Sequence, residues 1–326
     1  MATYQNGTST RSKRLKGKVC LVTGASRGLG KGIAIVLGQE GATVYITGRT
    51  FYPDPECSGG SLCETAKAID DAGGICYPVK CDHSQDEDVK RLFERITLEQ
   101  HGRLDIVVNN AFSGIRAIID NLLFPFWEQP LSLWDNVNDV GLRGYYTTTW
   151  HAARLMIVRS KGLIVNVSSG AALDIACNAS LGIGKAAVDR MATTCARDLK
   201  QFNIAMVSIW PGIVRTEVTA HFEKSLDCTK ELKEIISKIK QEDPQFTGRA
   251  IVALATDETI LNKSGRILDI SDLAREYGFT DVDGTIPISI RSLKYILQCK
   301  NSRIADYIPE WIRIPWWLIS VYANSF

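Results

Sequence analysis

The sequence predicts an α/β protein, a doubly wound parallel sheet with helices on both faces. Three observations carry this. Short apolar runs alternate with longer stretches whose apolar residues recur at helical spacing, the rhythm of strand–helix–strand units. The first run, residues 18–22, meets a glycine-rich turn that opens a helix. Later runs end in polar pairs, Asn109-Asn110 and Ser168-Ser169, where the crevice of an open α/β sheet lies.

The first unit is the most informative. Lys18-Val19-Cys20-Leu21-Val22 reads as a short buried strand. Thr23-Gly24-Ala25-Ser26-Arg27-Gly28-Leu29-Gly30 follows, and Ile33, Ala34, Val36 and Leu37 then mark a helix. In this context the glycines have separate tasks: Gly24 permits a tight turn, Gly28 lets backbone approach a pyrophosphate, and Gly30 allows close helix packing. The helix start offers free N–H groups and partial positive charge to phosphate. The turn, including Ser26, Arg27 and Leu29, is therefore expected to bind a dinucleotide.

The second strand, 42–47, runs into Gly48-Arg49-Thr50. An acid at its end would bind the ribose hydroxyl of NAD, whereas a cation suits the extra phosphate of NADP. Arg49 and Arg27 favour NADP, with NAD a lesser option. Residues 51–60 form an irregular loop by their proline and glycine content. Ser61 and Glu64 have capping-box spacing before the next helix, which Gly73-Gly74 ends. Strand 75–79 leads to Asp82, placed to meet the adenine or to cap the helix 86–100. Strand 104–108 ends at Asn109-Asn110, expected at the cofactor crevice, where two adjacent asparagines can also tie neighbouring strands together by hydrogen bonds. Residues 113–130 form a long loop with Phe124 and Trp127, and 131–159 are largely helical. Strand 162–169, helix 180–202 with Lys185, and strand 204–210 complete this part.

Composition narrows the class. The formal charge of +2 gives no global signal for nucleic acid, and 45% hydrophobic with 23% charged residues is ordinary for a globular chain. The nine cysteines show neither a C-x-x-C pair nor zinc spacing, so reduced thiols in a reducing compartment and no metal are expected. Residues 1–16 are polar, lack an apolar signal region and read as a flexible tail.

With these pieces together, residues 17–272 resemble the short-chain dehydrogenase/reductase family in its non-extended form. The resemblance rests on Thr23-Gly24-x-x-x-Gly28-x-Gly30, Asp82, Asn109-Asn110-Ala111, Ser168-Ser169, Lys185, and Pro211-Gly212 followed by Thr216. It narrows to one branch through Val140-Gly141-Leu142-Arg143-Gly144, Trp210-Pro211-Gly212-Ile213-Val214 and Asp281-Val282-Asp283-Gly284. It implies a single Rossmann-type domain, 17–277, with about seven parallel strands. It also implies hydride transfer between NADP(H) and a carbonyl or alcohol, with Thr216 among the cofactor contacts. In the family a tyrosine moves the proton, a lysine four residues later holds the nicotinamide ribose, and a serine binds the substrate oxygen. An asparagine on an earlier helix completes a relay. Carried over, these roles fall to Lys185 and to Ser168 or Ser169, the family relation pointing to Ser169.

Two positions depart from the pattern. Leu181 stands where the tyrosine belongs, and Gly141 where the asparagine is usual. Leucine can neither donate nor accept a proton. The alternative to an enzyme is thus an NADP(H)-binding pseudoenzyme, a sensor or partner subunit. Phe112, Phe124, Trp127 and Leu181 suggest an apolar substrate.

Residues 213–245 are charged and are expected to form a helical lid. Residues 278–326 exceed the minimal fold. Their cluster around Trp311, Trp316 and Trp317, beside Arg303 and Arg313, has two expected placements: against the protein itself or on a membrane surface. The chain is expected to self-associate, on family grounds. Its expected location is the cytoplasm or the cytosolic face of the endoplasmic reticulum.

Overall fold

In a computed structural model, the structure describes residues 13–53, 59–121, 124–173, 178–217, 219, 240–299 and 302–323. Seven strands form one parallel sheet in the order β3-β2-β1-β4-β5-β6-β7. They are β1 Val19–Val22, β2 Thr43–Gly48, β3 Ile75–Lys80, β4 Ile106–Asn109, β5 Gly162–Val167, β6 Ile204–Trp210 and β7 Ile267–Asp269. The strand order reverses direction at β1 and β4, which sets a crevice at their carboxyl ends. The central strands β1 and β4 are buried at every position, as strands covered on both faces must be.

Two apolar layers sandwich the sheet. On one face lie α1 (Gly28–Gln39), α2 (Leu62–Asp71), α8 (Pro244–Thr256) and α9 (Ile270–Tyr277). Helices α1 and α8 touch closely because a Cβ at Gly248 would sit 2.8 Å from the Cβ of Val36. On the other face lie α3 (Asp86–Glu99), α6 (Gly144–Arg159) and α7 (Ala179–Leu199). Ser61 caps α2 as its spacing predicts, its Oγ accepting from the Glu64 N–H at 3.2 Å.

Three regions differ from expectation. The polar tail is shorter than residues 1–16: Leu15 is fully buried in the core, and Arg14 pairs with Glu40 at 2.6 Å. One leucine among four cations anchors the segment, and charge density in the sequence concealed it. The loop 113–130 contains a short helix, α4, Ile115–Asp120. The span 131–159 is largely helical as expected, but in three pieces: α5 (Ser132–Asn138), a π-turn (Asp139–Arg143) and α6. Most of the lid expected at 213–245 lies outside the described residues, as do positions 1–12 of the tail.

Residues beyond α9 add α10 (Leu293–Cys299) and α11 (Trp316–Ala323). They are strapped to the domain. Arg291 and Arg313 both pair with Asp272 on α9, at 2.6 and 2.8 Å, and the Trp316 ring packs edge-on to Trp210 at 5.1 Å. The outer side of the same segment exposes Trp311, Trp317 and Val321. No helix among the described residues is long and apolar enough to cross a membrane.

Candidate active site

The glycine turn is built as an interlocking knot. Thr23 Oγ1 accepts from the backbone N–H groups of Asn110 and Ala111, at 2.9 and 3.0 Å. The Asn110 amide donates to the carbonyls of Thr23 and Gly24, at 2.9 and 3.0 Å. Gly24 has φ +66°, and a Cβ there would stand 2.6 Å from Ala111 Cα. A Cβ on Gly30 would strike the Gly24 carbonyl and the Asn110 amide. Both positions therefore require glycine, one for its backbone and both for space. Leu29 turns its side chain into the core, leaving only its N–H to the crevice. Ser26 is buried, and Arg27 takes the N-cap position of α1.

Two groups lean over this turn. Thr216 lies against Gly28, its Cγ2 3.4 Å from where a Cβ would be. The Glu217 carboxylate accepts from the Gly28 N–H at 3.0 Å. A carboxylate thus sits on an N–H that the helix start presents to anions.

Arg49 is exposed immediately after β2. Asp82 is close enough to feel its charge. Burial opposes ionisation of Asp82, but the N–H and hydroxyl of Ser84 and the Arg49 cation outweigh it and hold the carboxyl below its ordinary value. Asp82 stands at the strand end near Arg49 and accepts from the N–H and hydroxyl of Ser84, but it does not cap α3, whose N-cap position is Gln85. The adjacent His83, which the sequence did not single out, is buried and bonded to Thr47 at 2.7 Å. Burial lowers its pKa to about 4, so it is a neutral scaffold group.

Asn109 corrects an expectation. Its side chain is fully buried and donates to Thr149 Oγ1 and Asn166 Oδ1, at 3.0 and 2.9 Å. It ties β4 to β5 rather than facing the cofactor crevice, because Asn109 and Asn166 are register partners across those strands. Asn110, by contrast, spends its amide on the glycine turn.

Around Lys185 the site is apolar. Lys185 lines a shallow recess with Phe112, Val137, Asn138, Gly141, Leu181 and Gly184. Its Nζ donates to the Val167 carbonyl at 2.9 Å and lies 5.2 Å from the Phe112 ring centre and 5.7 Å from that of Tyr145. Burial pulls its pKa down to about 8, against the opposing charge of Asp189. Leu181, in the first turn of α7, is half-buried at the recess. Gly141 has no room for the expected asparagine: a Cβ there would meet the Phe112 ring at 2.8 Å. Phe112 and Leu181 thus share one apolar wall. Phe124 and Trp127 are exposed and are not among its lining residues. Tyr145 reaches Lys185 from α6, but its hydroxyl is bonded to the Val167 carbonyl and burial raises its pKa far above the ordinary value.

The two serines separate. Ser168 is buried, and its Oγ donates to the Lys185 carbonyl at 3.3 Å. Ser169 is half-buried, starts the short turn Gly170–Ala172 against α7, and makes no capping bond with its hydroxyl. Ser168 is thus committed to the scaffold, and the two neighbouring serines differ in burial and bonding. Asn138 was not foreseen. It is buried, donates to the Ser180 carbonyl at 3.3 Å, and leaves its Oδ1 without a hydrogen-bond partner beside Gly184.

A sheet with its crevice at β1 and β4, a phosphate-type turn and a buried lysine on α7 define a class. The chain belongs to the short-chain dehydrogenase family, whose sequence profile matches residues 18–227. It is 44% identical over 319 residues to dehydrogenase/reductase SDR family member 1 of Mus musculus, covering 96% of this chain and 99% of that protein. The Homo sapiens protein of the same name is 42% identical over 317 residues, with 96% and 99% covered. Among solved structures, a short-chain type dehydrogenase/reductase from Mycobacterium marinum superposes with a TM-score of 0.65 at 26% identity, covering 79% of this chain and 95% of that one.

Proposed function

We propose that this chain is an NADP(H)-dependent oxidoreductase acting on an apolar carbonyl or alcohol. One observation carries the reading: an intact glycine knot opens onto a recess that holds the buried Lys185. The residues fit a nicotinamide dinucleotide. Gly24 and Gly30 let the turn close against Ala111 and Asn110, the start of α1 points N–H groups outward, and Arg49 and Arg27 stand near the second strand end for the NADP phosphate. Asp82 completes the adenosine side, and Thr216 closes over Gly28. When bound, such a cofactor supplies or accepts hydride.

The chain's own residues do the rest. Phe112 and Leu181 exclude water and favour an apolar substrate face. Ser169 Oγ donates a hydrogen bond to the substrate oxygen. Lys185 is the proton-bearing group on the recess, and a cation titrating near pH 8 can pass a proton from Nζ to that oxygen, directly or through water, and regain it from solvent.

Leu181 favours a second reading, a cofactor-binding protein without turnover. Titration with NADPH and NADH, followed by a carbonyl panel read at the nicotinamide absorbance, separates the two. The enzyme reading expects tight NADPH binding, measurable oxidation, and a rise in turnover of about 10²–10⁴-fold in Leu181→Tyr, the usual worth of a placed general acid. Binding with no oxidation in either protein supports the second reading. No binding of either cofactor sinks both.

Two surfaces support further parts of the proposal. Tyr146, Trp150 and Val158 are exposed on α6 and suit self-association. Trp311, Trp317 and Val321 suit a membrane surface.

A further inference from the structure

One turn beyond Lys185, α7 buries a carboxylate that the proposed chemistry leaves unused. Asp189 is 5% exposed. Its Oδ1 accepts from Ser208 Oγ, and the Trp210 indole N–H reaches its two oxygens at 3.2 and 3.0 Å. The Ser168 hydroxyl is a near neighbour of this carboxylate and gives its one proton to the Lys185 carbonyl. Four residues apart on a helix, Asp189 and Lys185 lie on one face. The titratable groups that face Lys185 among the described residues are Asp189 on its own helix and the Tyr145 phenol on α6. Facing Asp189 are the Lys185 cation and the neutral donors on β5 and β6.

The indole that binds this carboxylate is itself covered by the extension. Trp210 carries Trp316 edge-on at 5.1 Å, and Arg291 lies 5.2 Å over the Trp316 ring. The segment that exceeds the minimal fold therefore covers the indole that binds Asp189.

We propose that Asp189 is a positioning residue for the Lys185 cation, and that the C-terminal extension keeps it buried through Trp316 on Trp210. The proposal rests on the reading of Lys185 as the working cation. With leucine at 181, no acidic group lines the recess beside Lys185 among the described residues, and Asp189 supplies the charge from behind. Burial raises the Asp189 pKa to about 6 and lowers that of Lys185 to about 8, so both are charged between those values. Below that window Lys185 keeps its proton but loses the counter-charge. Above it the ammonium is lost.

The test follows the Lys185 side-chain resonances by NMR from pH 5 to 10 in the full chain, assigned by their loss in Lys185→Arg. The wild type is expected to show a main step near pH 8 and a smaller one near pH 6, where Asp189 titrates. Asp189→Asn is expected to remove the smaller step and move the main one down by about one pH unit. Trp316→Ala, which lets water reach Trp210, is expected to move the smaller step toward the ordinary carboxylate range. A single step in the wild type, or an unmoved main step in folded Asp189→Asn, overturns the role of Asp189. An unmoved smaller step in Trp316→Ala overturns the part given to the extension. If Asp189→Asn does not fold, the wild-type and Trp316→Ala titrations still decide. None of these readouts needs cofactor or turnover, so failure of the NADPH titration would count against the proposed function alone.

Discussion

The two halves of the crevice are built in opposite ways. On the cofactor half, Thr23, Gly24, Gly30 and Asn110 form a closed set of hydrogen bonds and close contacts in which each residue type is fixed by the others. On the proposed substrate half, the positions at which the family resemblance implies a tyrosine and an asparagine hold Leu181 and Gly141, and the Phe112 ring occupies the space beside the latter. Lys185 sits at the seam, held by a carbonyl and two aromatic faces. The comparison teaches that the geometry of dinucleotide binding and the machinery of proton transfer are separable in this fold. The first is enforced by backbone packing and tolerates almost no substitution. The second depends on a few side-chain tips that can change while the backbone stays.

Predictions that strike the rigid half carry the largest effects. Gly30→Val places side-chain atoms on the Gly24 carbonyl and the Asn110 amide. Losing several backbone donors to phosphate, each worth about 1.5–3 kcal/mol, is expected to weaken NADPH by well over about 100-fold. Calorimetry on a variant shown to be folded checks this, and retained binding would mean that the turn is not the phosphate site. Arg49→Asp sharpens the comparison at the adenosine end. It is expected to weaken NADPH by about 10–100-fold, the worth of a charge-assisted contact, with little change for NADH. Equal losses for both would remove the case for NADP.

The smallest effect belongs to the contact that crosses the crevice. Glu217 accepts from the Gly28 N–H, so a phosphate must compete with it there. Glu217→Gln is expected to tighten NADPH by about two- to fivefold, in line with about 0.3–1 kcal/mol for a charge at a helix start. Unchanged or weaker binding would show that the carboxylate does not compete with the cofactor.

Much of this was legible in the residues. Strand–glycine turn–helix spacing located the first unit, and the seven-stranded parallel sheet implied by the family resemblance is the sheet observed. The Ser61 cap followed from spacing with Glu64, and Leu181 was visible by counting back from Lys185. Other features were not legible. Which asparagine of the pair ties the strands depends on where β4 ends relative to β5, a matter of register. The π-turn at 139–143 leaves no periodic signal of its own. Leu15 was hidden by its charged neighbours.

By itself the sequence determined the order of strands and helices, the glycine positions and the absence of a tyrosine at 181, because these are local properties of spacing and residue type. Tertiary structure alone decided that Ser168 turns inward while Ser169 does not, that Phe112 fills the space at Gly141, and that Trp316 packs on Trp210, whose indole N–H holds the Asp189 carboxylate. Those contacts join elements far apart in the chain. They exist because burial removes water from polar groups and obliges each to find a partner wherever the folded sheet and its helices bring one within reach.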